Sequence, residues 1–354
     1  MQIDFGAGDD ILFTKEGHAG IIKLTRPLAL NALNHRMVFA FKKALNTWKT
    51  DDDVSCILVE GEGRAFCAGG DVVEIYHMGE KPSSYQYFSD EYRLNAYIQC
   101  FPKPYISFLN GIWMGGGVGI SIYGSHRIVT ENTLFAMPEG AIGFFPDVGA
   151  SFFLPSLPDH FGIYLALTGA RIKWGDCLNL GLATHAVPEI ELECIKKTII
   201  EQGNPTLALE ERAITKDYET SYEIRCLINA CFSADTLEEC IELLYKKGKE
   251  GVLFAKECYD ILQSRSPTSL KVTWRQMKRN PSQTLEDCQT LEDCMKIENR
   301  IAHHMVSSHD FREGVRAMLI DKDKTPKWQP NKLSSVTNEM IDAYFQPVEK
   351  ELLF

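Results

Sequence analysis

Two carboxylates stand in an otherwise apolar stretch of this sequence. Glu139 and Asp147 belong to MPEGAIGFFPDVG, where their neighbours are glycines, prolines and phenylalanines. A carboxylate with little water around it is a stronger base, so the pair could activate a water molecule. The structural alternative is that Asp147 caps a helix that begins near VGASFFL. Other features of the chain are needed to choose between these roles.

Two glycine-rich segments end predicted strands and could complete such a site. Gly70 belongs to RAFCAGGDV and Gly116 to NGIWMGGGVG. Glycine lets a backbone approach a ligand closely and present its N–H groups, and two such groups on one carbonyl oxygen form an oxyanion hole. The second segment also opens a predicted helix, whose dipole favours negative charge. The alternative is that both are tight turns. Neither has a P-loop lysine or GxGxxG spacing, so a nucleotide-dependent enzyme is not indicated.

Strands and helices alternate through the first half of the chain. Short β-rich runs predict strands in GIIKLT, SCILVEG, KPYISFLNG, HRIVT and TLFAMPE. Apolar residues recur at a helical period from Leu33 to Trp48. Further helices are predicted in SYQYFSDEYRLNAYIQCF and in GGGVGISIYGS. This order predicts an α/β core whose active residues lie in loops at strand ends.

The pattern changes after about residue 190. Segments there are helical and charged, with no clear strand and no proline-rich or serine-rich linker. We therefore predict a core over residues 1–190 that carries the active site. A mostly helical region over residues 191–354 is predicted to pack on it.

Composition excludes several classes of function. The chain has 354 residues, of which 45% are hydrophobic and 24% charged, which is typical of a globular protein. A formal net charge of -11 without a basic stripe argues against nucleic acid as a partner. The uncharged run PYISFLNGIWMGGGVGISIYGS is long enough for a membrane span, but its glycines and asparagine favour a strand, a turn and a short buried helix. We therefore expect no membrane association.

The eleven cysteines are scattered, odd in number and without a CxxC pair or zinc spacing. They predict reduced thiols in a cytosolic-type compartment and no metal site.

The three segments, in this order and spacing, resemble the crotonase (enoyl-CoA hydratase/isomerase) superfamily. The resemblance implies a spiral of ββα units and an oxyanion hole made by the backbone N–H groups of Gly70 and Gly116. It also implies coenzyme A contacts in RPLALNALN and in the first glycine segment. The residues assigned to CoA binding in this way are Arg26, Leu28, Ala29, Ala68, Gly70 and Asp71. Many members carry a lysine three residues after the first donor, where this chain has Val73.

The carboxylates indicate which reaction the resemblance implies. Hydratases of the superfamily use two glutamates, one shortly after the GGG loop and one in the PE segment. The second is present here as Glu139, but Gly119 occupies the first position. Asp147 together with Glu139 resembles instead the 3-hydroxyisobutyryl-CoA hydrolase branch. The match extends to Glu91 in FSDEYRLNAYI and to HDFREGVRAMLIDKDKTPKW near the C-terminus.

The resemblance implies hydrolysis of a short 3-hydroxyacyl-CoA thioester, most simply 3-hydroxyisobutyryl-CoA in valine breakdown. Glu139 would act as general base or as covalent nucleophile, and the sequence leaves this choice open. Asp147 would bind the substrate hydroxyl or share the water, and Glu91 would line the acyl pocket unless it faces solvent. No cofactor is expected, since CoA is part of the substrate. The alternatives are an enoyl-CoA hydratase or isomerase, and an inactive acyl-CoA-binding protein.

The expected partner is therefore a small acyl-CoA molecule. A monomer and a homo-oligomer both stay open, because the helical C-terminal region could cover the interface that the superfamily often uses. MQIDFGAGDDILFTKEG lacks the apolar or arginine-rich character of a targeting segment. This fits a bacterial cytoplasm, or the mitochondrial matrix if the chain is a mature eukaryotic form.

Overall fold

The computed structural model describes residues 2–79, 82–278 and 290–354. The strands in these ranges are β1 (Gln2–Ile3), β2 (Ile11–Glu16), β3 (Ala19–Leu24), β4 (Cys56–Gly61), β5 (Ala65–Cys67), β6 (Tyr105–Leu109), β7 (Ile112–Met114), β8 (His126–Val129), β9 (Leu134–Ala136) and β10 (His185–Ala186).

The α-helices are α1 (His35–Lys49), α2 (Val72–Met78), α3 (Pro82–Gln99), α4 (Gly116–Gly119), α5 (Ala150–Phe153), α6 (Phe161–Thr168), α7 (Trp174–Asn179), α8 (Leu192–Gln202), α9 (Pro205–Glu210), α10 (Tyr222–Phe232), α11 (Leu237–Lys249), α12 (Leu253–Ser264), α13 (Pro267–Met277), α14 (Leu291–Val306), α15 (His309–Val315) and α16 (Asn338–Tyr344). Short 3₁₀ turns lie at Gly8–Asp10, Pro27–Ala29, Glu139–Ile142, Pro158–His160, Glu189–Glu191 and Leu333–Ser335, and a π-helical turn at Arg316–Ile320.

The strands form two sheets, and successive strands from β4 to β9 alternate between them. The larger sheet has the order β1-β2-β3-β4-β6-β8-β10, and the smaller one the order β5-β7-β9. Each pair of consecutive strands from β4 to β9 therefore places one strand in each sheet. A helix follows the first two pairs and a 3₁₀ turn follows the third. The β1-β2-β3 end is antiparallel, and the pairs from β3 to β10 are parallel.

The central strands are apolar on both faces because both faces are covered. All five residues of β6 are buried, as are the first four residues of β4. Parallel strands in this position are continuous hydrophobic runs, which is why SCILVEG and KPYISFLNG could be identified as strands. The prediction of strands at these positions is confirmed.

The helix α1 also agrees with its sequence pattern. The side chain of Asn34 accepts a hydrogen bond from the amide of Met37 and so caps the first turn. Phe41, Leu45 and Trp48 follow on the same buried face. In contrast, the helix predicted for GGGVGISIYGS extends only from Gly116 to Gly119, because a run of glycines has low helix propensity.

The chain divides into two compact units, each made of three segments. The first unit comprises Met1–Asp71, Asp90–Phe135 and Arg171–Glu219. The second unit comprises Val72–Ser89, Ala136–Ala170 and Thr220–Phe354. The proposed division at residue 190 stays a prediction.

The segment after residue 190 is helical, and within its described part no strand is present. Over the residues that the structure describes, no helix combines the length and apolar character needed to cross a membrane.

Candidate active site

The amides of Gly70 and Gly116 lie close together in the first unit. Gly69 has φ +124° and Gly115 has φ +50°, conformations that glycine adopts without a steric cost. A methyl group on Gly116 would lie 3.1 Å from the amide nitrogen of Gly70. The structure thus brings together the two residues that were predicted as oxyanion donors. Their role stays a prediction, and α4 is too short to add much of a helix dipole.

Glu91 is buried beside this pair. Its side chain lies in α3 and is only 2% exposed. A methyl group on Gly116 would overlap Oε1 of Glu91. The alternative in which Glu91 faces solvent is therefore wrong, and its carboxyl group reaches the glycine that was predicted to bind the acyl oxygen.

The cysteine in the first glycine segment is not a candidate nucleophile. Burial, with a smaller contribution from the nearby charge of Glu91, raises the pKa of the Cys67 thiol to about 12. The reactive form of a cysteine is the thiolate, so this thiol is inert at neutral pH. No group of three acidic, histidine or cysteine side chains that could hold a metal ion is found within residues 2–79, 82–278 and 290–354.

The residues assigned to CoA binding fold together in the first unit. The amide of Ala68 donates to the carbonyl of Leu30 over 3.0 Å, and the amide of Asp71 donates to that of Leu33 over 2.8 Å. The guanidinium of Arg26 lies 2.9 Å from Oδ2 of Asp71. The two sequence segments are therefore neighbours, and the positive charge of Arg26 is already engaged by Asp71.

Asn31 fixes the conformation of the early segment. It is fully buried with φ +58°, and its side-chain amide donates to the carbonyls of Glu62 and Ala65 over 3.0 and 2.8 Å. This leaves Leu28 and Ala29 on the surface, with Leu28 fully exposed. An apolar side chain in this position is available to contact a ligand.

The two candidate catalytic acids belong to one buried segment of the second unit. Glu139 begins a 3₁₀ turn that ends at Ile142, and its carbonyl accepts a hydrogen bond of 3.1 Å from the amide of Phe144. Glu139 is 9% exposed and Asp147 5%. Such burial is unusual for carboxylates, which are rarely buried without a structural or catalytic reason.

Asp147 is not the cap of the helix that follows it. The helix α5 starts at Ala150, and the residue at its cap position is Gly149, which makes no side-chain cap bond. The intervening Val148 has φ +53°, a left-handed conformation that is rare for a β-branched residue. Such a conformation costs on the order of 1–3 kcal/mol and persists only when the surroundings hold it. The capping alternative is therefore wrong.

Aromatic rings surround the same segment. The ring centroid of Phe144 lies 4.6 Å from that of Phe145, 5.4 Å from Phe88 and 5.3 Å from Phe311. Phe144 and Phe145 are buried. The two acids therefore lie in a low-dielectric environment, in which electrostatic interactions are stronger than in water.

With this geometry established, comparison with known proteins identifies the family. The family model described as Enoyl-CoA hydratase/isomerase matches residues 19–345. The chain belongs to the enoyl-CoA hydratase/isomerase family.

Relatives in this family resemble the chain over nearly its whole length. A protein of Danio rerio named 3-hydroxyisobutyryl-CoA hydrolase, mitochondrial, is 39% identical, and the match covers 97% of this chain and 91% of the relative. The 3-hydroxyisobutyryl-CoA hydrolase 1 of Arabidopsis thaliana is 38% identical over 99% of this chain and 95% of the relative. A solved structure described as a carnitinyl-CoA dehydratase from Mycobacterium thermoresistibile is 38% identical with a TM-score of 0.90, covering 98% and 99% of the two chains. The predicted crotonase-like α/β fold with a helical C-terminal region is confirmed.

In this member of the enoyl-CoA hydratase/isomerase family, the C-terminal motif supports the acidic segment directly. A side chain at Gly314 in α15 would overlap the backbone of Ile142, and one at Gly143 would overlap the carbonyl of Asp310. The carboxylate of Asp310 is itself fixed, since it accepts hydrogen bonds from Ser266 Oγ over 2.6 Å and from the amide of Gln329 over 2.7 Å. The motif HDFREGVRAMLIDKDKTPKW is therefore packed against the turn that carries Glu139.

Sequence reasoning did not identify Glu298 in α14, a buried acid of the second unit. Burial, with a smaller contribution from the charge of Asp147, raises its pKa to about 8, and hydrogen bonds from Ser151 and Gly149 limit the increase. A signal was present in the sequence, because Glu298 interrupts the apolar stripe of α14. The buried apolar members of that stripe are Leu291, Cys294, Met295, Ile301, Ala302 and Met305.

Proposed function

We propose that the protein hydrolyses short 3-hydroxyacyl-CoA thioesters, with 3-hydroxyisobutyryl-CoA as the substrate that yields 3-hydroxyisobutyrate and CoA. The observation that carries this proposal is the burial of Glu139 and Asp147 on one short segment. The chain that carries them matches a protein named 3-hydroxyisobutyryl-CoA hydrolase over 97% of its length. The role in valine breakdown follows from this substrate. The protein is then an acyl-CoA thioester hydrolase.

Each site residue has a role in this proposal. The backbone N–H groups of Gly70 and Gly116 stabilise the negative charge that develops on the thioester oxygen, and losing one such donor costs on the order of a hundredfold in rate. Glu139 activates a water molecule as general base or attacks the thioester carbon as nucleophile. Asp147 binds the hydroxyl group of the acyl chain, and Glu91 lines the acyl pocket.

Binding of the CoA portion is assigned to the segments that pair in the first unit. Leu28 and Ala29 are exposed and contact the ligand, while Arg26, paired with Asp71, holds the backbone of that segment in place. Ala68 and Gly70 border the thioester end. The proposal needs no cofactor other than the substrate, and it places the enzyme in a bacterial cytoplasm or, in a eukaryote, in the mitochondrial matrix.

The test is thiol release from 3-hydroxyisobutyryl-CoA by the wild type and by Glu139→Gln. The amide cannot accept a proton or attack the thioester, so kcat should fall about a thousandfold while the fold is retained. The same exchange at the exposed Glu62 is a matched control and should leave kcat unchanged. Equal rates for the wild type and Glu139→Gln would remove Glu139 from the mechanism.

Hydration of an enoyl-CoA is the second candidate. Gly119 cannot supply the second acid of a hydratase, but Glu91 reaches the neighbouring Gly116 and could replace it. The solved structure from Mycobacterium thermoresistibile is described as a dehydratase. Assaying the wild type with crotonyl-CoA and 3-hydroxyisobutyryl-CoA separates the two reactions. Faster loss of the conjugated double bond than release of thiol would replace hydrolysis with hydration.

A further inference from the structure

Among the described residues of the second unit, Glu298 is the most completely enclosed acid that has no role in the proposed reaction. Its side chain is 0% exposed. Oε2 accepts a hydrogen bond of 2.6 Å from the amide of Gly149. Oε1 accepts bonds from the amide and the hydroxyl of Ser151, over 2.9 and 2.5 Å. Both oxygens of this carboxyl therefore bind the backbone just after Asp147.

Gln276 binds the backbone on the other side of Asp147. Its Nε2 donates to the carbonyl of Pro146 over 2.9 Å and to Oε1 of Glu298 over 3.2 Å. The residue before Asp147 and the second residue after it are thus bound by two side chains that also bind each other. Both side chains come from helices of the second unit, Gln276 from α13 and Glu298 from α14.

The backbone between these contacts needs to be held. Val148 and Gly149 both have positive φ, at +53° and +82°. Valine strongly prefers other conformations, so this turn would relax if the bonds to Gly149 and Ser151 were lost. Relaxation at Val148 would rotate the peptide unit next to Asp147 and change the direction of its carboxylate.

We propose that Glu298 is a positioning residue that fixes the direction of the Asp147 carboxylate by holding the strained turn at residues 148–151. The inference rests on the proposed function, in which Asp147 binds the hydroxyl group of the acyl chain. Glu298 then contributes to selection of 3-hydroxyacyl substrates without touching them.

The kinetic test is a double-mutant cycle with Glu298→Gln and Asp147→Asn. Glutamine has nearly the same shape but places an NH₂ group against backbone donors, so the turn is no longer held. Glu298→Gln should lower kcat/KM for 3-hydroxyisobutyryl-CoA by about tenfold or more. In the Asp147→Asn background the same change should cost less than about twofold, because the group that it positions is gone. With isobutyryl-CoA, which lacks the hydroxyl group, the loss should also be less than about twofold.

A purely structural role predicts different results. Equal losses in both backgrounds, or equal losses for the hydroxylated and the plain substrate, would overturn the inference. Asp176→Asn removes a buried carboxylate whose Oδ1 accepts a bond from the amide of Glu219 in the first unit. This control should change the kcat/KM ratio of the two substrates by less than about twofold. If Glu298→Gln does not fold, Ser151→Ala removes one donor from Oε1 and should shift the same ratio in the same direction.

Hydrogen exchange separates this inference from the proposed function. The amides of Gly149 and Ser151 should exchange at least tenfold faster in Glu298→Gln than in the wild type, as measured by NMR without substrate. Unchanged exchange would overturn the inference whatever the enzyme does. A wild type that releases no thiol from 3-hydroxyisobutyryl-CoA would overturn the proposed function, and the exchange rates would still decide whether Glu298 holds the turn.

Discussion

Gly116 is the residue whose replacement should separate activity from folding. Alanine at this position would place a methyl group over Oε1 of Glu91 and 3.1 Å from the amide of Gly70. We expect Gly116→Ala to lower kcat by about a hundredfold or more, because the oxyanion donors would be displaced. Steady-state kinetics with thermal unfolding of the same sample checks this.

Gly140→Ala is the matched control for that experiment. A methyl group there has Ser269 Oγ as its nearest neighbour, at 3.8 Å, which is an ordinary contact. We expect this variant to keep activity within about threefold of the wild type, since no atom has to move. An active Gly116→Ala variant would show that the amides of residues 70 and 116 do not act on the substrate.

Site residues differ in how far local sequence reveals them. Glu139, Asp147, Gly70 and Gly116 stand out as candidates because each belongs to a short motif with its own chemistry. Glu298 could not be assigned in this way, since its partner Gly149 is 149 residues away. Hydrogen bonds over such separations depend on tertiary packing, so the break that Glu298 makes in the apolar stripe of α14 indicates a buried acid but not its partner.

Among the elements, α15 packs so closely against the Glu139 turn that even a methyl group should disturb the contact. A methyl group on Gly314 would overlap the carbonyl of Ile142 and lie 2.7 Å from its Cα. We expect Gly314→Ala to lower the free energy of unfolding by about 1–3 kcal/mol, the usual cost of overpacking, and to reduce kcat as the turn shifts. Urea denaturation and thiol release measure the two effects.

Gly248→Ala in α11 is the corresponding control. Its added methyl group would lie 3.2 Å from Lys256 Cα, and the higher helix propensity of alanine, about 1 kcal/mol, offsets this tight contact. A Gly314→Ala variant as stable and as active as Gly248→Ala would contradict the role given to α15.

The elements were predictable where burial imposes a simple pattern. β4, β6 and α1 follow their apolar periodicity, and the helical character of the C-terminal region was also visible. The end of α4 at Gly119 was missed because glycine contributes no side chain to stabilise a longer helix. The assembly of each unit from three separated segments was missed as well, because local composition does not show which distant segments contact one another.

For the molecule as a whole, a rise in pH should stabilise the first unit and destabilise the second. In the first unit, burial lowers the pKa of His126 to about 4, with His185 and Arg127 adding to the effect. Its folded pKa is below the unfolded value, so the stability that it contributes is lost as pH falls from 6.5 to 4. In the second unit the folded pKa of Glu298 is about 8 against a usual 4.5, so stability is lost as pH rises between those values.

Native-state hydrogen exchange, corrected for intrinsic rates, can follow both units in one sample. From pH 5 to pH 7.5 we expect β8 to gain protection and α14, which carries Glu298, to lose it. Each ionisation contributes at most about 1.4 kcal/mol per pH unit. His126→Gln should reduce the first change, leaving the part due to His185, whose pKa is also lowered by burial. Glu298→Gln should abolish the second. Changes of the same sign in both units, or changes unaffected by these substitutions, would contradict the assignment.

The long separation between Gly149 and Glu298 also has a consequence for biosynthesis. At roughly 5–20 residues per second, the ribosome needs on the order of ten to thirty seconds to make the intervening chain. Throughout that interval the strained turn at Val148 exists without the carboxyl that holds it. The segment that carries Glu139 and Asp147 therefore matures late, after its own translation. A nascent chain that stops before α14 carries both candidate acids but cannot set their geometry.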